Sequence, residues 1–179
     1  MIWESWYWRS DLLKQAESLR KRMDQKRWPD ASLARCEQTV MLGCFSVRKL
    51  IESRKLTRQF AGRQVKIGVY PSTGKRVHLM NHRSLDKLYD FECAKDRTVT
   101  VEFLCNQIIH SYVFALFFDE ANRFHSIAVA SDRTKMKELF EVPVTTIADL
   151  FERAGKGEGD DTLTYRYDAA SGDYVVGFG

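Results

Sequence analysis

The chain has 179 residues, of which 44% are hydrophobic and 29% charged, and its formal net charge is +4. This composition is typical of one globular domain with a hydrophobic core, and it excludes an intrinsically disordered chain. No apolar run approaches the ~20 residues that cross a bilayer, and the first residues lack the pattern of a signal peptide. We therefore expect a soluble, cytoplasmic protein with no membrane partner.

Aromatic residues crowd the N-terminus, where Trp3, Trp6, Tyr7 and Trp8 fall within the first eight positions. A solvent-exposed tail rarely carries so much apolar area, so this segment is expected to pack on the body of the protein or on a partner. Trp3 and Trp6 are our candidate partner-binding residues. Ser10, followed by an acidic residue, predicts the start of the first helix.

A second, longer helix is predicted from Asp30, a plausible N-cap, to about Leu56. Its apolar positions keep the helical period: Leu33, Cys36, Val40, Cys44, Val47 and Ile51. Together the first two helices predict a helical hairpin.

Two charged residues of this second helix fall on its apolar face. Glu37 and Arg48 are eleven residues, or three turns, apart. Charges on such a face need partners, and two interpretations stay open: a ring of charge at the edge of the core, or contact with the polar face of the central helix. The end of this helix is predicted to be basic and solvated, and its three cations could bind a nucleic-acid phosphate backbone: Arg54, Lys55 and Arg58.

The region of residues 64–80 changes character. Val65, Ile67 and Val69 alternate as in a half-buried strand, a turn follows at Pro71, and alternation resumes at Val77. This pattern predicts a β-hairpin inserted between helices.

The most apolar stretch runs from Thr98 to Leu116 and predicts a central helix, although a strand is also possible from Ser111 onward. Asn106 and His110 form a polar pair within it. His110 is either a general acid or base, oriented by a neighbouring amide, or a core or interface histidine satisfied by hydrogen bonds. Apolar residues on two faces of this helix suit packing on both sides, within the subunit or in a homodimer.

After the central helix the pattern predicts strands, with one hairpin near residues 115–130 and a closing hairpin near the C-terminus. The predicted fold class is α+β. Residues 1–116 form a helical domain with a central apolar helix and the hairpin insertion, and residues 117–179 form an antiparallel, β-rich element packed on it.

Neither a cofactor nor a metal is predicted. The sequence contains no phosphate-binding glycine loop, and none of its four cysteines sits in a C-x-x-C pair. Residues 1–80 hold 17 basic and 7 acidic residues, a net +10, while residues 81–179 hold 11 and 17, a net −6. A basic N-terminal half leaves RNA open as a partner, although the two halves could equally attract each other.

The N-x-x-x-H pattern on an apolar helix, in a basic helical chain, resembles the HEPN superfamily (higher eukaryotes and prokaryotes nucleotide-binding) over roughly residues 10–116. The resemblance implies a compact helical, dimerising domain, and in active members a metal-independent ribonuclease. Asn106 and His110 match the family's Asn and His, but Cys105 stands where an Arg is expected. Either Arg48 or another basic residue replaces that Arg, or the domain is inactive.

Two functional hypotheses follow. In the first, the chain is a non-enzymatic interaction or adaptor protein on a HEPN-like scaffold, which dimerises or docks to a larger assembly through its aromatic N-terminus. In the alternative it is a metal-independent ribonuclease or RNA-binding protein, in which His110 is the acid or base, Asn106 holds the ring or a phosphate oxygen, and Arg48 binds the backbone. The absence of an Arg at position 105 favours the first hypothesis.

Overall fold

A computed structural model describes residues 2–157 and 163–178 and confirms the α+β class, with six helices and seven strands in the described residues. The helices are α1 (Ser5–Met23), α2 (Asp30–Glu52), α3 (Arg58–Gly62), α4 (Leu85–Leu88), α5 (Val101–Ile109) and α6 (Val144–Lys156). The strands are β1 (Gln64–Pro71), β2 (Lys95–Thr100), β3 (Ser111–Phe118), β4 (Phe124–Ser131), β5 (Glu138–Pro143), β6 (Leu163–Asp168) and β7 (Asp173–Phe178).

Five strands form one antiparallel sheet in the order β2-β1-β5-β4-β3. Alternate side chains along each strand point to opposite faces, so the sheet contributes to two hydrophobic clusters. Ile67, Ile127 and Phe140 lie in the larger cluster, together with residues of α1, α2, α5 and α6. Helices α1, α2, α5 and α6 therefore form a layer on one face of the sheet.

The predicted helical hairpin is confirmed, but its helix bounds differ from the prediction. Helix α1 begins at Ser5 rather than Ser10, because the Glu4 carboxylate accepts a hydrogen bond from the Trp6 backbone N–H at 3.1 Å and caps the first turn. Helix α2 ends at Glu52 rather than Leu56, because Arg54 adopts a left-handed backbone with φ 56°.

The predicted hairpin at residues 64–80 is wrong. Strand β1 is present, but it pairs with β2 on one side and β5 on the other, so both of its edges are already bonded. The chain that follows it crosses the second face of the sheet instead, where Val77, Leu85 and Leu88 pack with Val113 of β3.

The central helix is shorter than predicted. It spans Val101–Ile109, and Ser111–Phe118 forms β3, as the strand alternative from Ser111 allowed. β-branched and aromatic side chains fit a pleated surface better than a helix, and this stretch consists largely of them.

Hairpins β3-β4 and β6-β7 confirm the two predicted after the central helix. Strand β3 crosses residue 116, and β1 pairs with β5, so one sheet joins the two parts into which the sequence was divided. Of the predicted C-terminal element, residues 158–162 and 179 lie outside the described residues. No helix in residues 2–157 or 163–178 is long and apolar enough to cross a bilayer.

Candidate interaction surface and the Arg48 cluster

Arg48 brings α2 and α5 together through polar contacts. Its Nε donates to Asn106 Oδ1 at 2.8 Å, and its Nη1 donates to Glu102 Oε1 at 2.8 Å. Its Nη2 lies 3.4 Å from Glu52 Oε1, one turn along α2. The arginine side chain is only 21% exposed. Of the two interpretations left open for Arg48, contact with the polar face of the central helix is the one observed.

The charge of the Arg48 guanidinium is already offset by two carboxylates. The pKa of the Glu52 carboxyl is lowered, first by a hydrogen bond from Lys49 and also by Arg48, so this group is ionised at neutral pH. The side-chain oxygen of Asn106 already accepts a hydrogen bond from Arg48. An approaching phosphate would therefore have to displace Glu102 and Glu52 before it could bind the guanidinium.

His110 lies at the end of α5 rather than within a longer helix. It is the C-cap residue, it is exposed, and its backbone N–H donates to the Asn106 carbonyl oxygen at 3.2 Å. Its ring has no hydrogen-bond partner within the part of the chain that the structure describes. Neither a satisfied core histidine nor an imidazole held by Asn106 is observed.

The prediction that Glu37 lies on an apolar face and needs a partner is wrong. Its side chain is exposed and forms no ion pair within the described ranges. Helix α5 has nine residues and a length of ~14 Å, whereas the eleven-residue rise from Glu37 to Arg48 is ~16 Å. The central helix is therefore too short to cover both ends of that face.

Exposed aromatic and aliphatic side chains occur at the start of α1 and on α2. Trp3 is 98% exposed, Trp6 63% and Tyr7 69%, while Leu42 and Phe45 on α2 are 57% and 42% exposed. The ring of Trp8 lies 6.5 Å from that of Phe45, which places the first turns of α1 beside this part of α2. We call the five exposed residues Trp3, Trp6, Tyr7, Leu42 and Phe45 the aromatic surface.

Sequence reasoning identified Trp3 and Trp6 but missed Leu42 and Phe45. Both residues lie outside the predicted apolar stripe of α2, and they are three positions apart on its solvent side. Two exposed apolar residues at this spacing were the sequence feature that could have indicated the surface. Of the remaining N-terminal residues, Ile2 is buried and Trp8 is half-buried, so only part of the segment packs on the body of the protein.

A cleft of about 990 Å³ adjoins the aromatic surface. It is lined by Ile2, Trp8, Phe45, Lys49, Glu52, Ser53, Arg54, Lys55, Asp173 and Tyr174, and we call it the N-terminal cleft. Arg54 also lines a neighbouring cleft of about 680 Å³ together with Arg58. The three predicted basic binding residues therefore lie at two adjacent depressions, with Arg54 between them.

A second polar cluster, which sequence reasoning did not identify, lies on the other face of the sheet. Tyr70 and Ser126 both donate hydrogen bonds to the Glu141 carboxylate, and His125 Nδ1 lies 3.8 Å from Glu141 Oε1. The β3-β4 register shifts between Phe117 and Phe118, which leaves His125 unpaired in a β-bulge. The bulge lets His125 approach the same carboxylate as its neighbour Ser126. These hydrogen bonds satisfy a carboxylate that is largely shielded from water.

No group of three or more metal-ligating side chains that could hold an ion occurs in residues 2–157 and 163–178. Comparisons with protein-family models, with curated proteins and with solved structures found no match. The HEPN resemblance therefore stays a prediction that rests on Asn106 and His110.

Proposed function

We propose that this chain is a non-enzymatic interaction module that associates through its aromatic surface, in the first place with a second copy of itself. The observation that carries the proposal is the exposure of Trp3, Trp6 and Tyr7 at the start of α1, together with that of Leu42 and Phe45 on α2. Clustered exposed apolar side chains mark interaction surfaces, and tryptophan and tyrosine are the residue types most enriched at binding hot spots.

Two further features support association through this surface. Trp6 and Tyr7 belong to the capped first turn of α1, so their backbone is already ordered and binding costs little conformational entropy. A single patch that pairs with its own copy about a twofold axis gives a closed dimer, the commonest form of soluble oligomer.

The Arg48 cluster supports a non-enzymatic function. Both carboxylates near the guanidinium would repel a phosphate, and the Asn106 amide holds Arg48 rather than the His110 ring. In this proposal the cluster joins α2 to α5 and has no part in chemistry.

Sedimentation velocity over a range of protein concentrations tests the proposal. We expect the wild type to self-associate and the double variant Trp3→Ser/Trp6→Ser to stay monomeric with an unchanged thermal melt. The matched control is Leu79→Ser/Met80→Ser, which removes two exposed apolar side chains from another part of the surface and should leave association intact. A wild type that is monomeric throughout, or a tryptophan variant that associates as the wild type does, would contradict the proposal.

A metal-independent ribonuclease is the second candidate. One observation favours it: the bond between Arg48 and Asn106 brings together two of the three predicted catalytic residues, with His110 one turn further on. Cleavage of mixed structured and single-stranded RNA in EDTA, abolished by His110→Ala, would support it. Without cleavage by the wild type, this candidate fails.

A further inference from the structure

The N-terminal cleft combines an apolar floor with a basic rim. Ile2, Trp8 and Phe45 supply the floor, and Lys49, Arg54 and Lys55 supply three positive charges against the single carboxylate of Glu52 on the same side. Lys49 is engaged with Glu52 at 2.9 Å. Arg54 and Lys55 form no ion pair in the described residues, so they are the cations available to a ligand.

Arg54 occupies a backbone position at which glycine is preferred. It has φ 56°, directly after the last turn of α2, and the backbone N–H of Lys55 bonds back to the Leu50 carbonyl oxygen at 2.8 Å. Such left-handed ends of helices favour glycine because a side chain is strained there. An arginine at this position sacrifices stability, and strain of this kind concentrates at binding sites.

The chain itself places an acidic and an aromatic residue in this cleft. Asp173 and Tyr174, at the start of β7, line it opposite the helical residues. Neither residue fills the cleft: Tyr174 is 58% exposed, with its ring 5.4 Å from that of Tyr167, and Asp173 forms no ion pair with Arg54 or Lys55 in the described residues. An acidic and an aromatic side chain nevertheless match the basic rim and the apolar floor in charge and in polarity.

We propose that the N-terminal cleft binds a segment of a partner protein in which a carboxylate directly precedes an aromatic residue, and that Asp173 and Tyr174, which line the cleft, compete with that segment. This inference rests on the proposed interaction function and names the chemistry of a partner. A protein segment fits better than RNA, because Glu52 lies among the cations and Ile2, Trp8 and Phe45 offer a phosphate backbone nothing to bind.

Fluorescence anisotropy with a labelled Ser-Gly-Asp-Tyr-Val peptide tests the proposal on the full chain. The peptide should bind the wild type, and it should bind Asp173→Asn/Tyr174→Ala several-fold more tightly, because that variant lacks the competing carboxylate and phenol at the cleft. The peptide Ser-Gly-Asn-Ala-Val should bind neither protein.

Arg54→Gly separates binding from stability. Glycine relieves the strain at φ 56°, so this variant should melt at a higher temperature than the wild type. Its peptide affinity should nevertheless fall about tenfold, because the variant loses one charge-assisted contact with the peptide. Lys66→Ala is the control, since Lys66 pairs with Asp96 on the sheet and should leave affinity unchanged.

Three results would overturn the inference: no peptide binding to the hairpin variant, equal binding by Arg54→Gly, or displacement of the peptide by an RNA oligonucleotide at equal concentration. Because Phe45 belongs to both the cleft and the aromatic surface, each result is also measured in the Trp3→Ser/Trp6→Ser background, in which no self-association is expected. Trp3 and Trp6 do not line the cleft, so Trp3→Ser/Trp6→Ser should still bind the peptide, and failure of the dimer leaves this test intact.

Discussion

Arg48 shows how a partly buried charge is held in this protein. With its guanidinium 21% exposed and bonded to Asn106 and Glu102, the residue gives α5 a polar anchor on α2 beside the buried thiols of Cys44 and Cys105. Removal of one partner from such a cluster leaves other polar groups unsatisfied, which costs more than the bond itself contributes.

We expect Arg48→Met to lower the free energy of unfolding by about 1–3 kcal/mol, because it leaves the half-buried Asn106 without its donor and removes the ion pair with Glu102. Lys49→Met is the matched control. Lys49 is the next residue on α2, but its side chain is 44% exposed, and its contacts, an ion pair with Glu52 and an ammonium 5.8 Å from the Phe45 ring, lie at the surface, so its loss should cost about 0.5 kcal/mol or less. Urea unfolding followed by circular dichroism measures both values. Equal losses would show that the Arg48 cluster has no special structural role.

Tyr89 should make stability depend on alkaline pH. Burial raises the pKa of its phenol to about 12, and the hydroxyl donates to the Lys135 carbonyl oxygen at 2.8 Å. Because the folded state holds this proton more tightly than the unfolded chain, whose phenol has a pKa of about 10, the contribution is complete below about pH 10 and is lost as the pH rises toward 12.

Tyr89→Phe should therefore flatten the decline of unfolding free energy between about pH 10 and pH 12. Urea titrations at a series of alkaline pH values measure the slope. A variant whose stability falls as steeply as that of the wild type would show that Tyr89 does not carry this dependence.

Sequence patterns identified which polar residues of α2 and α5 are noteworthy, but they did not predict which of those side chains are buried and which are exposed. Helical periodicity placed both Arg48 and Glu37 on the core side of α2 and left contact with the central helix as one of two interpretations, and only Arg48 makes that contact. The exposure of Glu37 and His110 could not be predicted, since both depend on where α5 ends. The inclusion of Leu42 and Phe45 in the aromatic surface depends on the packing of α1 beside α2, which the sequence alone does not specify.

At the scale of elements, α1 and α6 pack so closely that one contact requires glycine. A Cβ on Gly155 would lie 2.7 Å from Leu13 Cγ and 2.9 Å from the Arg9 carbonyl oxygen. A flexible leucine could shift, but a backbone oxygen within a helix cannot, so the two helix axes would have to separate.

Gly155→Ala should destabilise the fold by about 1–3 kcal/mol through overpacking, although alanine is the better helix former by about 1 kcal/mol. Gly62→Ala is the control, because a Cβ there meets no atom within 4 Å, and it should change stability by no more than about 0.5 kcal/mol. Urea unfolding of both variants gives the comparison. Stabilisation by Gly155→Ala would contradict the observed approach of α1 and α6.

Local periodicity in the sequence predicted the helices of the N-terminal half, but it did not predict the order of strands in the sheet. The hairpin α1-α2 rests on contacts close in sequence, which apolar spacing records directly. The pairing of β1 with β5 joins residues about seventy positions apart, and no local pattern encodes which distant strand fills an edge. The end of α5 at Ile109 likewise reflects the pairing of β3 with β4.

For the whole molecule, the aromatic surface and the N-terminal cleft adjoin each other, because Phe45 belongs to both. Trp8, whose ring lies 6.5 Å from that of Phe45, lines the cleft. The protein thus presents an apolar patch and a basic groove side by side, an arrangement that suits a module with one symmetric and one asymmetric contact.

Site-specific photo-cross-linking tests the central proposal most directly, because it locates the interface as well as detecting it. A benzophenone amino acid placed at Trp6 should give a covalent dimer of the full chain, cross-linked to the aromatic surface of the second copy. The same group at Lys66, an exposed position on β1, should give none. A dimer that forms from Lys66 but not from Trp6, or no dimer from either position, would contradict association through the aromatic surface.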